Sequence, residues 1–247
     1  MESETPGMCP RVVTDHAGRR SDGAGIGPKN AQLIGGIWLP AAEKHLVDML
    51  VNPECRREVD GRLTYQYRKL ERAMQFVPES RRRVAIDIGA HVGLWSMHLA
   101  RLFGQVQAFE PNLELWDLFG WNLDGCDNVD LHRVALGKSP GTAGLKVYEG
   151  HSGHSQISGE GDVRVEPLDS YQLDRVDFIK IDVEGLESLV VNGAMETIQR
   201  CQPVMVVEQK GEDARLGFVR DAALGLLQKM GMKPADCIGG DYFMVWE

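Results

Sequence analysis

Carboxylates recur at the ends of short apolar runs in this chain, and that placement gives them chemistry. Asp87 lies near the end of Val84 to Ile88, Glu110 follows Val106 to Phe109, Asp182 follows Ile179-Lys180-Ile181, and Glu208 closes Pro203 to Glu208. Such runs read as strands buried on both faces. A carboxylate at the carboxyl end of a buried strand stands at the ligand crevice of an open α/β sheet. Glu110 comes 21 residues after Gly89, an interval at which an acid can grip ribose hydroxyls. Lys180, Asp182 and Glu184 project to one side of an extended segment, and Glu208 can join them. Carboxylates with one lysine beneath them form an acid/base group.

Gly89-Ala90-His91-Val92-Gly93 follows the first of these strands, and Trp95, Leu99, Leu102 and Phe103 then recur at helical spacing. Strand, tight turn and helix together imply a bound nucleoside. A dinucleotide fingerprint needs a second glycine where its backbone meets the pyrophosphate, and His91 stands there. S-adenosylmethionine, with ribose and adenine but no phosphate, fits that turn better. Asp87, Gly89, Ala90, His91 and Gly93 then border the methionine portion. Glu110 holds the ribose, Asn112 sits near the adenosine, and Ala135 meets the adenine edge from the end of the third strand. Asp182 faces the sulfonium, where attraction at about 4 Å and an effective dielectric near 20 is roughly 4 kcal/mol before desolvation. Asp182 or Glu184 is the candidate acceptor of an alcohol proton, with His151 and His154 in reserve. His154, Ser155 and Glu208 are candidate substrate contacts, and Ser152 shares their loop. In the competing structural reading, Lys180 and Glu184 form a buried ion pair and His91 caps a helix amide. Asp182, Glu184 and Glu208 offer hard oxygen ligands, but the sequence shows no tight ligand cluster and no metal is expected.

The elements that must position these residues alternate. After the first strand and helix come strand Gln105 to Glu110, helix Asn112 to Leu123, and strand Val129 to Leu136. The order βαβαβ implies a parallel sheet with right-handed crossovers. Residues Gly137 to Leu168 break the rhythm, with short strands at Leu145 to Tyr148 and Val163 to Val165 flanking the polar loop Gly150 to Gln156. Strand Asp177 to Asp182, a helix from Leu186, strand Pro203 to Glu208, a helix over Asp213 to Met230 and a terminal hairpin complete the pattern. Before the sheet, helices over Ala41 to Leu50 and Tyr65 to Phe76 form a cap, whose Trp38, Tyr65 and Tyr67 can line an entrance or pack as core. Residues 1–30 read as disordered or loosely attached, 31–82 as the helical cap and 83–247 as the main domain.

Composition narrows the partners. A balance of 27 basic against 36 acidic residues, net charge -9, disfavours an extended nucleic acid held on a broad basic face. Arg81-Arg82-Arg83 reads as a solvated lead-in to the first strand. The five cysteines are scattered without a Cys-x-x-Cys pair, so a disulfide framework and a zinc knuckle are both unexpected. No signal peptide or membrane-length apolar run is evident, and a cytoplasmic location is the expectation.

Several blocks together resemble the FkbM family of S-adenosylmethionine-dependent methyltransferases. They are Val84 to Gly93, Phe109-Glu110-Pro111-Asn112, Val134-Ala135-Leu136-Gly137, Pro167-Leu168-Asp169-Ser170 and, most specifically, Ile179-Lys180-Ile181-Asp182-Val183-Glu184-Gly185-Leu186-Glu187. The similarity runs from about Arg83 to Lys210. It implies an α/β, Rossmann-like seven-stranded methyltransferase sheet, mostly parallel with its last strand antiparallel. It also implies methyl transfer, commonly to hydroxyls of sugars, polyketides or other secondary metabolites, so a small-molecule or saccharide acceptor is expected. A nicotinamide-dependent oxidoreductase on the same architecture, and a binding module that has lost catalysis, are the alternatives. Neither the oligomeric state nor the acceptor's identity follows from the sequence.

Overall fold

The computed structural model describes residues 27–54, 56–148, 150–210 and 221–246. The chain enters through a hairpin, β1 (Ala31–Ile34) with β2 (Ile37–Pro40), then α1 (His45–Val51), a second small hairpin of β3 (Glu58–Val59) and β4 (Arg62–Leu63), and α2 (Tyr67–Met74). This cap contains the two helices the periodicity predicts, each shorter at its start, and two hairpins it does not. Gly35-Gly36 and Asp60-Gly61, all at positive φ, are the turn residues that make those hairpins.

The main sheet contains β5 (Val84–Ile88), β6 (Gln105–Phe109), β7 (Val129–His132), β11 (Phe178–Ile181), β12 (Val204–Glu208), β13 (Met232–Ile238) and β14 (Asp241–Trp246). Their spatial order is β13-β14-β12-β11-β5-β6-β7. All pairs from β12 to β7 are parallel, and β14 runs antiparallel to both of its neighbours. Helices α3 (Ser96–Leu102), α4 (Trp116–Asn122), α5 (Glu187–Asn192), α6 (Met195–Cys201) and α7 (Ala222–Lys229) cover it. This is the mostly parallel, Rossmann-like seven-stranded sheet that the resemblance implies. The helix expected from Leu186 is broken into α5 and α6 at Gly193. Residues 213–220 of the helix expected over Asp213 to Met230 lie outside the described residues.

The third expected strand, Val129 to Leu136, is split. Its first half is β7 in the main sheet, while β8 (Ala135–Leu136) leaves to join β10 (Gln156–Glu166) and β9 (Gly141–Lys146) in a separate three-stranded sheet. The loop between β9 and β10 is the Gly150 to Gln156 segment, so this small sheet is a stand that holds that loop over the main sheet.

Alternation along the strands separates the two faces. Ile86, Ile88, Ile179, Ile181, Met205 and Val207 join one core, and Ala85, Phe178, Val206 and Phe243 join another beneath Trp95, Leu99 and α2. Register then dictates the site. Asp87 lies opposite Lys180, and Glu208 lies opposite Asp241. Asp87, Lys180 and Glu208 share the second face, at the end where its apolar core stops.

Two expectations need correction here. The Arg81-Arg82-Arg83 triplet is not simply solvated. Arg83 Nε donates to the buried Asp177 at 2.8 Å, Arg81 Nε lies 3.4 Å from the same carboxylate, and Arg82 donates to the Val77 carbonyl at 3.2 Å. A buried carboxylate demands such partners, and Asp177 ends the loop leading into β11. Cys126 is half of a disulfide, which the scattered spacing did not suggest, whereas Cys201 and Cys237 are free. Among the described residues, no helix is long and apolar enough to cross a membrane.

Candidate functional site

Where β5, β6, β11 and β12 end, the cap and the Gly150 to Gln156 loop close over a cleft of about 1160 Å³, counting its open mouth. Its floor begins with Gly89, at φ +78°, where an added Cβ would stand 1.9 Å from the Asp182 carbonyl oxygen. Only glycine allows the turn to lie this close to β11. The Gly89 and Ala90 amides both donate to the Phe109 carbonyl, at 3.0 and 3.1 Å, which ties the turn to β6.

Glu110 completes that tie. Its Oε2 accepts the His91 amide and its Oε1 the Asn112 amide, each at 2.8 Å. Burial pushes its pKa up to about 7 in spite of those two donors. His91 adopts φ +54° to present its amide in this way, a conformation that costs a non-glycine residue about 1 kcal/mol or more. Its ring does not cap a helix: Nε2 lies 2.8 Å from Ser152 Oγ, in the overlying loop. Burial lowers its pKa to about 4, so the ring is neutral.

The acids at the strand ends form a charge-balanced group. Ser96 Oγ donates to Asp87 Oδ2 at 2.7 Å, and Lys180 Nζ lies 3.8 Å from Asp87 Oδ1 and 3.2 Å from Asp182 Oδ2. Lys180 therefore pairs with the two aspartates, not with Glu184 as the competing reading had it. Burial alone would raise the Asp182 pKa, but the Lys180 ammonium and a hydrogen bond from Glu208 outweigh it and lower it to about 2. Burial and the Asp182 charge push Glu208 the other way, up to about 8. Asp182 and Glu208 thus share one proton near neutrality and titrate as a pair. Lys210 closes on Glu208 from the far side.

Glu184 lies beyond the end of β11, at φ +54°, so strand alternation does not place it. The turn does: its carboxylate comes within 4.8 Å of those of Asp182 and Glu208, and it faces His154 Nδ1 at 3.5 Å. Of these three acids, Asp182 faces Lys180 and Glu208 faces Lys210. Ala90, Ala135, His154 and Ser155 line the cleft, although the Ser155 hydroxyl is spent on the Ser152 carbonyl at 2.9 Å. Gly93 and Asn112 are not part of the lining. An added Cβ at Gly93 would meet Leu123 at 2.3 Å, so its bareness admits α4, and Asn112 Oδ1 accepts the Glu114 amide at 3.1 Å.

Of the cap aromatics only Tyr65 reaches the cleft; Trp38 packs edge-on against Trp121 and Tyr67 against His98. Sequence reasoning gave no role to Glu43, Glu187 or Asp241. Glu187 Oε1 accepts the Gly185 amide at 2.9 Å and so shapes the turn carrying Glu184. Asp241 pairs with Lys69 of α2, fastening the cap to the sheet. Glu43 left a signal, because its Oε1 accepts the Leu46 amide at 3.0 Å, three residues on, as an acid ahead of an apolar helical stripe can.

A family model described as the methyltransferase FkbM domain matches residues 87–233. The chain is similar to the methyltransferase sdnD of Sordaria araneosa, 27% identical over 155 residues, covering 45% of this chain and 60% of that protein. It therefore spans less than two thirds of that relative's length. Among solved structures it is similar to a methyltransferase FkbM from Methylobacillus flagellatus, at 17% identity and TM-score 0.44, covering 66% of this chain and 42% of that one. An O-methyltransferase from Bacillus cereus, solved with S-adenosylhomocysteine, shows 15% identity and TM-score 0.41, over 72% of this chain and 77% of its own.

Proposed function

The chain belongs to the FkbM family of methyltransferases, and from that premise we propose that it uses S-adenosylmethionine to methylate a hydroxyl of a small molecule or saccharide. The observation that carries this reading is the pairing of Gly89 with Asp182. An added Cβ at Gly89 would stand 1.9 Å from the Asp182 carbonyl oxygen, so the bare turn lies directly against the backbone of Asp182, and both residues line the cleft.

The residues present fit the cofactor. Glu110, fixed by two backbone donors, keeps lone pairs for the two ribose hydroxyls, and the Ala135 backbone meets the adenine edge. When bound, the cofactor supplies a methyl group already activated on a cationic sulfur. What remains for the protein is to hold an acceptor in line with it and to take up a proton, and positioning supplies most of the acceleration. Asp182, ionised beside Lys180, offers negative charge toward the cation. Asp182 and Glu184 are the proton acceptors, and the hydrogen bond to Glu208 lets the proton be shared across the carboxyl pair. His154 and Ser155 border the acceptor, with Glu208 beneath it. Residues 31–82 act as the cap and 83–247 as the catalytic domain.

Calorimetric titration with S-adenosylhomocysteine, followed by transfer of a labelled methyl group to a panel of polyols, glycosides and phenols, tests this reading. Binding together with label on an acceptor oxygen is the expected result. Absence of cofactor binding refutes it, and label appearing only on nitrogen or carbon refutes the O-directed part.

A further inference from the structure

Glu43 lies in the cap, is 3% exposed, and does not line the cleft. Nevertheless it reaches the glycine turn through two hydrogen bonds. Its Oε2 accepts the Ser152 amide at 2.8 Å and the Ser152 hydroxyl as well, while Oε1 accepts from Leu46. Burial works to raise its pKa, but these donors prevail and hold it below the ordinary value, so the carboxylate is ionised. An ionised carboxylate only accepts, which obliges Ser152 to donate its single hydroxyl proton to Glu43. The Ser152 oxygen can then only accept from His91 Nε2, 2.8 Å away. Nε2 therefore carries the ring proton, and Nδ1 is a bare acceptor. That atom is buried and has no hydrogen-bond partner among the described residues. A buried acceptor left without a donor is costly, and His91 is among the residues that line the cleft.

Resting on the cofactor reading above, we propose that His91 Nδ1 accepts a hydrogen bond from the cofactor's α-ammonium group, with Glu43 the positioning residue that, through Ser152, keeps Nδ1 unprotonated. The Gly89 to Gly93 turn borders the methionine portion in that reading. At that end of the ligand the carboxylate has no proton to give, so the ammonium is the donor whose chemistry matches a lone pair. The opposite tautomer would set N–H against N–H.

Two measurements test this. In the free protein with 15N-labelled histidine, the His91 resonances, assigned by their loss in His91→Gln, should show a protonated Nε2 and an unprotonated Nδ1. Protonation at Nδ1 overturns the proposal without any ligand. Calorimetry then compares S-adenosylhomocysteine with 5′-methylthioadenosine, which lacks the amino-acid portion. Ser152→Ala and Glu43→Gln should weaken the first about tenfold, the scale of one charged hydrogen bond, and leave the second unchanged. No loss, or equal loss for both ligands, overturns the proposal. Failure of the wild type to bind either ligand refutes the cofactor reading itself, and the tautomer result stands apart from it.

Discussion

Replacing Gly89 with alanine puts the geometry of the turn to a quantitative test. Two costs arise, and they can be separated. The backbone sits at φ +78°, where a Cβ costs about 1–2 kcal/mol. The Cβ would also stand 1.9 Å from the Asp182 carbonyl oxygen, a backbone atom that cannot swing aside. Asp182 is itself held by a 3.1 Å bond from its amide to the Ile88 carbonyl, so relief requires parting the β5 and β11 ends, an overpacking cost of about 1–3 kcal/mol. The sum, about 2–5 kcal/mol, lowers the melting temperature of a chain this size by roughly 4–20 °C. Gly61 supplies the control: it has the same φ of +78° and nothing within 4 Å of an added Cβ. Gly61→Ala should show only the first cost, roughly 2–8 °C. Thermal melts of both variants, with S-adenosylhomocysteine affinity measured on each, give the comparison. Gly89→Ala should lose affinity and Gly61→Ala should not. Equal melting temperatures for the two variants, or wild-type affinity in Gly89→Ala, would refute the claim that the turn is pressed against Asp182.

Further tests probe the acids. Glu110 titrates near 7 in the free protein, and its ionised form is the better acceptor for ribose hydroxyls. Affinity for S-adenosylhomocysteine should therefore be about tenfold weaker at pH 6 than at pH 8 by linkage, and Glu110→Gln should abolish that dependence; a slope that survives the substitution assigns it elsewhere. Glu208, raised to about 8 from 4.5, holds a proton in the folded state that the unfolded chain releases. Its contribution to stability is full below about 4.5 and is lost as pH rises through about 8. Denaturant titrations between pH 6 and 9 should show this decline in the wild type and a flatter profile in Glu208→Gln; identical profiles would rule out the shared proton. Asp182→Asn keeps the shape of the side chain while removing its charge, and turnover should fall about a hundredfold or more. Normal rates would exclude Asp182 from proton transfer.

The sheet was legible because its signals are local. Buried strands such as Val84 to Ile88 and Phe178 to Ile181 announce themselves by composition, and the acids at their ends by contrast with it. Parallel pairing does not by itself fix register, so the placing of Asp87 opposite Lys180, 3.8 Å apart, was not legible. What escaped depends on contacts between segments distant in sequence. Nothing around Glu43 announces a partner 109 residues away in Ser152. The split of Val129 to Leu136 is equally silent, because its two halves satisfy different sheets and no proline or glycine marks the break. The arginine triplet misled for the same reason: a run of charge reads as solvated unless the one buried carboxylate that needs it, Asp177, is known to be near.

The charge group at the strand ends also explains why its members resist interpretation one at a time. Removing the Lys180 ammonium leaves Asp87 and Asp182 facing each other in a buried space, a loss of about 3–5 kcal/mol of the kind seen when a buried pair is broken. Loss of activity in such a variant would report the collapse of a scaffold as readily as the loss of a catalytic group. Asp87 makes the distinction possible. Its Oδ2 is satisfied by Ser96, and burial already raises its pKa, so an asparagine there costs little charge balance once the lysine is gone. Pairing Lys180→Met with Asp87→Asn removes one positive and one negative charge together and returns the buried space to the balance it had. The lysine then reads as part of the scaffold to the extent that the pair recovers what the single change lost, and as part of the chemistry to the extent that folding returns without turnover.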